Sequence, residues 1–294
     1  MNIASIIRLC RPTQWVKNLF VMLPLFFSGN IFDLQLAGCA LVAFAAFCMA
    51  SSAIYCLNDY MDADADRQHP EKCHRPVASG EVGKATCIVL MSALSVAALA
   101  LPWLLSSPAS LYSTCVVGTY LVMNYAYCLK LKRIALIDVV IISIGFVLRV
   151  AIGGTSTGIF ISHWIIIMTF LLALFLSLSK RRDDILLYNR TGKKMRHNID
   201  RYNLDFMSQA TTLVATVMLV SYIMYTVSPE VVARFSSNLV YITSLFVLIG
   251  LLRYIQLAVV FTSSGSPTRI LIHDRFVQAS LLGWVVTFAL IIYF

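Results

Sequence analysis

The sequence predicts an all-α polytopic membrane protein, and three observations carry that prediction. Hydrophobic residues make up 59% of the 294 residues and charged residues 13%, whereas a soluble domain carries about 25% charged residues. Mean hydropathy is +0.81. The apolar residues also gather into nine runs near the roughly 20 residues a helix needs to cross the hydrocarbon core, at 16–32, 36–57, 86–105, 109–128, 136–154, 160–179, 206–227, 237–257 and 276–294. Lipid offers no water to backbone amides, so such runs fold as helices. The expected architecture is a nine-helix bundle with a polar cavity facing the cytoplasm, formed by one domain over 1–294.

Each run has its own justification. The first, 16–32, follows Arg8, Arg11 and Lys17 and is interrupted by Pro24 and Gly29. It has no small-residue cleavage site, so it reads as mature structure. The second, 36–57, ends against a dense stretch of acids and bases. The third and fourth are flanked by Arg67, Lys72, Arg75 and Lys84 before 86 and by Lys130, Lys132 and Arg133 after 128. The fifth contains Asp138 and Arg149. Eleven residues apart is near three turns, so they share a face but stand about 16 Å apart, too far to pair. Asp138 therefore lies near the polar end, to join the site or to hold Lys130 or Lys132. Arg149 lies deep, where an ionisable side chain must face protein or a watery cavity, and a structural partner is expected. The sixth opens with His163 and Trp164 at an interface and leads into eight bases between Lys180 and Arg201. The seventh and eighth enclose Arg234, and the ninth follows Arg269 and Arg275.

Apart from Arg234 these bases fall on alternate sides of successive runs. The positive-inside rule then places the N-terminus in the cytoplasm and the C-terminus outside the plasma membrane. The net charge of +9 is accordingly a cytoplasmic-face charge, suited to anionic lipids and phosphorylated substrates. Division among short loops argues against nucleic acid. The eight cysteines show no CxxC pair and the five histidines no HExxH, so disulfides and zinc are not expected.

The stretch 58–80, NDYMDADADRQHPEKCHRPVASG, carries the most chemistry. On a helix Asp59, Asp62 and Asp66 stand at i, i+3 and i+7, within about 60° of one face, while Asp64 points elsewhere. Three carboxylates on one stripe repel unless a cation intervenes. Mg²⁺ suits them, since it takes a few carboxylates together with waters and substrate phosphates. Lys72 and Arg75 follow closely, fitted to phosphate oxygens. A solvated charged loop would explain the charges but not their one-sided spacing.

A second polar segment, Lys180-Arg181-Arg182-Asp183-Asp184, opens at the same end of its run. The two segments are expected to converge over one cavity, with Asp183 or Asp184 as an opposing metal ligand. Pairing of these acids with Lys180 or Arg181 is the plainer alternative. In Arg11-Pro12-Thr13-Gln14-Trp15-Val16-Lys17-Asn18, Lys17 and Asn18 read either as phosphate contacts at the cavity mouth or, with Trp15, as an interfacial anchor.

These segments resemble the UbiA superfamily of intramembrane prenyltransferases. The NDxxDxxxD at Asn58, Asp59, Asp62 and Asp66 matches its first aspartate-rich motif. The likeness extends over nearly the whole chain and is greatest to the decaprenyl-phosphate phosphoribosyltransferase branch, through RPTQWVKN at 11–18, YCLKLKRIALIDV at 127–139, GFVLRVAIGG at 145–154, SKRRDD at 179–184 and PTRILIHDR at 267–275. The chain departs from many aromatic prenyltransferases, whose second motif is DxxxD, because a basic KRR precedes Asp183-Asp184. Cys73-His74 within the first motif has no physical account.

The resemblance implies Mg²⁺-dependent transfer of 5-phosphoribose from 5-phosphoribosyl 1-diphosphate (PRPP) to a polyprenyl phosphate, releasing diphosphate. It implies catalytic and metal roles for Asp59, Asp62 and Asp66, and substrate contacts from Lys17, Asn58, Lys72, Arg75, Lys130, Asp138, Lys180, Arg181 and Asp184. Membrane lipids are the surrounding partners, and self-association is left open. The superfamily's other chemistry, alkylation of an aromatic acceptor by a prenyl diphosphate, uses the same metal device with fewer bases. A cation transporter would instead need ionisable residues near the midplane, where only Arg149 lies.

Overall fold

The computed structural model describes residues 3–67, 72–192, 198–260, 270 and 273–293, and among these every regular element is helical. Lys193, Lys194, Arg196, Arg269 and most of the 267–275 segment lie outside the described residues. Seven described helices are long and apolar enough to cross a membrane: Leu34–Arg67, Lys84–Leu104, Ile137–Thr157, His163–Arg190, Leu204–Thr226, Leu239–Val259 and Arg275–Ile292. The expected runs 16–32 and 109–128 are not among them.

Their absence has local causes. Run 109–128 forms a 21-residue helix, α5 (Ala109–Leu129), but serines, threonines and Asn124 dilute its apolarity. Those groups are satisfied internally: Thr114, Thr119 and Asn124 donate to carbonyls four residues back, and the Ser113 and Thr155 hydroxyls share a 3.1 Å bond. Run 16–32 is broken. After the short α1 (Ile3–Cys10), a 3₁₀ segment over Pro12–Met22 gives way to α2 (Leu23–Phe27) and a turn at Gly29 with φ 80°. Pro12 and Pro24 lack the N–H that would continue a helix from the preceding turn.

The chain packs as two compact units. The first comprises Met1–Lys132 and Ile144–Ile161, the second Arg133–Ser143 and Ser162–Phe294. In the first unit, α3 (Leu34–Arg67) packs against α4 (Lys84–Ala100), α5 and the 3₁₀ segment. Ala43, Ala46, Ala50 and Ala53 bring neighbours close to α3 while Phe47 fills the gap beside Tyr120. At 34 residues α3 is about 51 Å long, longer than the roughly 30 Å core. Its final turns therefore continue beyond the apolar run and carry Asn58 to Asp66. α6 (Ile137–Thr157) gives its residues from Ile144 onward to this unit.

In the second unit α7 (His163–Thr191) pairs with α8 (Leu204–Thr226). The short α9 (Pro229–Phe235) precedes α10 (Thr243–Val259), which pairs with α11 (Arg275–Tyr293). The α7 start is capped by Ser162 and the α8 start by Asn203, whose Oδ1 accepts the Phe206 amide at 2.7 Å. Phe175, Ala215, Met218, Leu251 and Tyr254 form this unit's core.

Candidate active site

The aspartate stripe is helical as its spacing requires, and α3 sorts the four acids by environment. Asp59 is 1% exposed and Asp66 is buried, Asp62 is half-buried, and Asp64 is exposed, paired among the described residues with Arg67 at 2.9 Å. Asn58, half-buried, immediately precedes Asp59.

A base is positioned beside each of the three aligned carboxylates. Arg75 Nη1 bridges Asp66 Oδ2 at 2.7 Å and Asp59 Oδ1 at 3.2 Å. Arg11 also donates to Asp59 Oδ1, stacked 4.9 Å above the Tyr55 ring. Lys132 donates to Asp62 Oδ1 at 2.6 Å. Arg75 is held there by its loop. The Ser79 amide bonds back to the Arg75 carbonyl, the Val82 amide to the Pro76 carbonyl, and Val77 and Val82 pack against Leu9 and Ala63. Arg11 sits in the left-handed region at φ 51°, unusual for a residue with a Cβ. That conformation turns the chain between α1 and Pro12.

Asp59 Oδ2 is buried and accepts no hydrogen bond among the described residues. An unsatisfied buried acceptor is costly, more so when charged, and a hard divalent cation takes carboxylate oxygens of this kind. The donor set therefore fits Mg²⁺. The three carboxylates do not converge, however: among the described residues no three His, Cys, Asp or Glu side chains are disposed to hold a metal ion. Asp59 and Asp66 share Arg75 instead, and Asp62 is drawn to Lys132.

Other expected contacts in this unit differ in detail. Asn18 is 0% exposed and not at a cavity mouth. Its Nδ2 reaches Cys48 Sγ and Ser51 Oγ, and its Oδ1 accepts from Arg149. Trp15 donates to Ser52 Oγ at 3.0 Å rather than acting only as an interfacial anchor. Lys17 and Lys72 are half-buried and Lys130 is exposed. Arg149 has the structural partners expected of it, donating to Gly145 O and Tyr120 Oη as well as Asn18.

The second unit holds a polar cluster of its own. Asp138, 0% exposed, accepts from Arg181 Nε at 2.7 Å and from the Tyr202 hydroxyl at 2.9 Å. The Tyr202 oxygen in turn accepts the Leu136 amide at 2.6 Å. Burial is the main reason the Tyr202 phenol is pushed up to about 12. Asp138 thus holds neither Lys130 nor Lys132. Arg181 Nη1 reaches Asp184 at 3.4 Å, the local pairing weighed for that acid, while Arg181 Nη2 is buried with no partner among the described residues. A guanidinium N–H held this way is a ready donor to a phosphate oxygen. Lys180 is exposed and Asp183 half-buried. Arg182 is committed elsewhere, to Ser208 Oγ and the Ala258 carbonyl.

Arg11, Lys132 and Tyr202 join these clusters without having been singled out for them. Arg11 and Lys132 do carry a signal, since each lies in a basic segment beside a run. Tyr202 carries none, being one of 13 tyrosines.

Comparison with known proteins follows the same lines. Residues 19–273 match the model of the UbiA prenyltransferase family. The decaprenyl-phosphate phosphoribosyltransferase of Mycolicibacterium smegmatis is 33% identical, covering 99% of this chain and 93% of its own length. Its counterpart in Corynebacterium glutamicum is 31% identical, over 99% of this chain and 88% of that protein. Among solved structures, a UbiA homologue from Archaeoglobus fulgidus bound to DMAPP and Mg²⁺ superposes with a TM-score of 0.70 at 17% identity, covering 98% of this chain and 99% of that one.

Proposed function

The chain belongs to the UbiA prenyltransferase family, and on that premise we propose that it transfers 5-phosphoribose from PRPP to a polyprenyl phosphate, releasing diphosphate. The observation that carries this reading is the likeness to phosphoribosyltransferases along 99% of the chain. The local chemistry agrees with it. Donor, acceptor and leaving group are all polyanions, and the aspartate stripe is ringed by Arg11, Arg75 and Lys132.

Asp59, Asp62 and Asp66 would hold Mg²⁺, which when bound offsets charge developing on the departing diphosphate. The acceptor phosphate is already anionic, so no strong general base is required. Bond breaking at the ribose anomeric carbon leads to an oxocarbenium-like transition state, by analogy with glycosidic chemistry. The protein's own contribution is to position polyanions. Asn58, Lys72 and Arg75 serve this role in the first unit together with Lys17 and Lys130, and Lys180, Arg181, Asp184 and Asp138 serve it in the second. Counting the broken segment 16–32 and the helix at 109–128, nine crossings would put the termini on opposite faces, and the positive-inside rule would then set the N-terminus and the chemistry on the cytoplasmic side of the plasma membrane.

The test is product formation by purified protein with labelled PRPP, a polyprenyl phosphate and Mg²⁺, with and without EDTA. A parallel reaction contains a polyprenyl diphosphate and 4-hydroxybenzoate. Metal-dependent label in the lipid supports phosphoribosyl transfer. Product only in the parallel reaction would leave the family standing and overturn the substrate assignment.

A further inference from the structure

We infer that Arg75 is the resident counter-cation of the aspartate stripe, displaced when a divalent metal binds there, so that metal and diphosphate enter the site together. The inference rests on the reading of Asp59, Asp62 and Asp66 as the metal-holding residues and goes beyond it.

The argument is one of charge. Among the described residues, the ion pairs of Asp59, Asp62 and Asp66 are with Arg11, Arg75 and Lys132, three negative groups against three positive ones. A divalent ion entering this balanced site leaves two positive charges in excess. Of these three bases Arg75 is the one that bridges two of the carboxylates, and the bridged pair includes Asp59, whose second oxygen is buried with no partner among the described residues. A cation ligated by Asp59 and Asp66 thus competes directly with that guanidinium. Arg75 is about a quarter exposed, on a short loop and not inside a helix. Its side chain reaches the surface, and a planar fork released from the carboxylates suits a phosphate. An arriving diphosphate supplies the negative charge that the metal and the released guanidinium require. Coupling of this kind is reciprocal: diphosphate must tighten metal binding by the same factor that metal tightens diphosphate.

Binding of Mn²⁺ to the detergent-solubilised full chain, followed by electron paramagnetic resonance, tests this without turnover. In the unmodified protein Mn²⁺ alone binds weakly, and inorganic diphosphate strengthens it by about tenfold or more. Arg75→Gln removes the competitor, so Mn²⁺ alone binds about fivefold tighter and the enhancement by diphosphate shrinks. Arg75→Lys keeps a charge that cannot span both carboxylates in one plane, and its affinity falls between the two. Should Arg75→Gln fail to fold, that intermediate affinity still decides the matter. If folded Arg75→Gln and Arg75→Lys both bind Mn²⁺ no tighter than the unmodified protein, Arg75 is not a competitor and the inference is overturned. Asp59→Asn and Asp66→Asn separate this failure from a deeper one. If Mn²⁺ binding survives both, the metal assignment itself is wrong.

Discussion

Arg149 Nε donates to Asn18 Oδ1 at 2.8 Å, joining α6 to the 3₁₀ segment across 131 positions of chain. Arg149 is 6% exposed, and its guanidinium is held by neutral groups. Neutral acceptors and the faces of Phe47, Tyr120 and Phe146, 5.1–5.5 Å away, stabilise it. Burying an ion costs several kcal/mol, and a delocalised, weakly hydrated guanidinium suffers least. The residue acts as a staple that holds a broken, proline-containing segment in place.

Arg149→Met should therefore lower the melting temperature in detergent. It strands Asn18 Oδ1 and removes a donor from the Tyr120 hydroxyl, at roughly 1 kcal/mol or more each, while the Gly145 carbonyl keeps its helical amide donor; removing a buried charge partly offsets the loss. Adding Asn18→Leu should recover part of the loss, as a double-mutant cycle reads directly. A single variant that melts at or above the unmodified protein would refute the staple.

The same junction is held by backbone contact. A Cβ on Gly153 would lie 2.0 Å from the Val21 carbonyl oxygen, and neither backbone can yield without moving its helix or segment. Gly153→Ala should destabilise by about 1–3 kcal/mol, the usual cost of overpacking. Gly118→Ala, whose new atom would meet only Leu99 Cδ2 at 3.9 Å, should be neutral or stabilising by up to about 1 kcal/mol. Thermal unfolding of the pair checks the contrast.

Within the aspartate stripe, position decides consequence. Asp59→Asn and Asp66→Asn should each lower turnover at least about 100-fold, the scale of losing preorganised charge stabilisation, while retaining monodisperse elution. Asp64→Asn removes only an exposed pair with Arg67, worth at most about 1 kcal/mol, and should leave turnover within about twofold. Near-normal activity in both Asp59 and Asp66 variants would contradict the site.

Tyr202 supplies a pH dependence. Its protonated hydroxyl donates to Asp138, and its pKa rises from 10.0 to about 12 on folding, chiefly through burial. A group raised by folding contributes stability that is complete below the unfolded value and lost as pH climbs through the folded one. The contribution should thus persist to about pH 10 and disappear towards 12. Ultraviolet titration of tyrosinate, taken as the difference between the unmodified protein and Tyr202→Phe, should show a midpoint near 12. A midpoint near 10 would mean the phenol is not buried in solution.

The helical class was legible because lipid removes every alternative for an apolar run, and the i, i+3, i+7 stripe because helix geometry is local. The two runs not found among the long apolar helices show where such reading stops. Prolines at 12 and 24 announce a break but not what holds the broken segment, which takes Arg149 and Gly153 from a helix more than 120 residues away. Composition, periodicity and motif spacing by themselves determined a membrane-embedded helical chain with three aligned carboxylates, and resemblance to known motifs pointed to its family. Only tertiary structure decided which base meets which acid. Sequence left Asp138 either to join the polar site or to hold Lys130 or Lys132; packing gave it Arg181 and Tyr202, and gave Lys132 to Asp62. Charge interactions act at a few ångströms, and which side chains come that close is settled by how helices far apart in sequence pack.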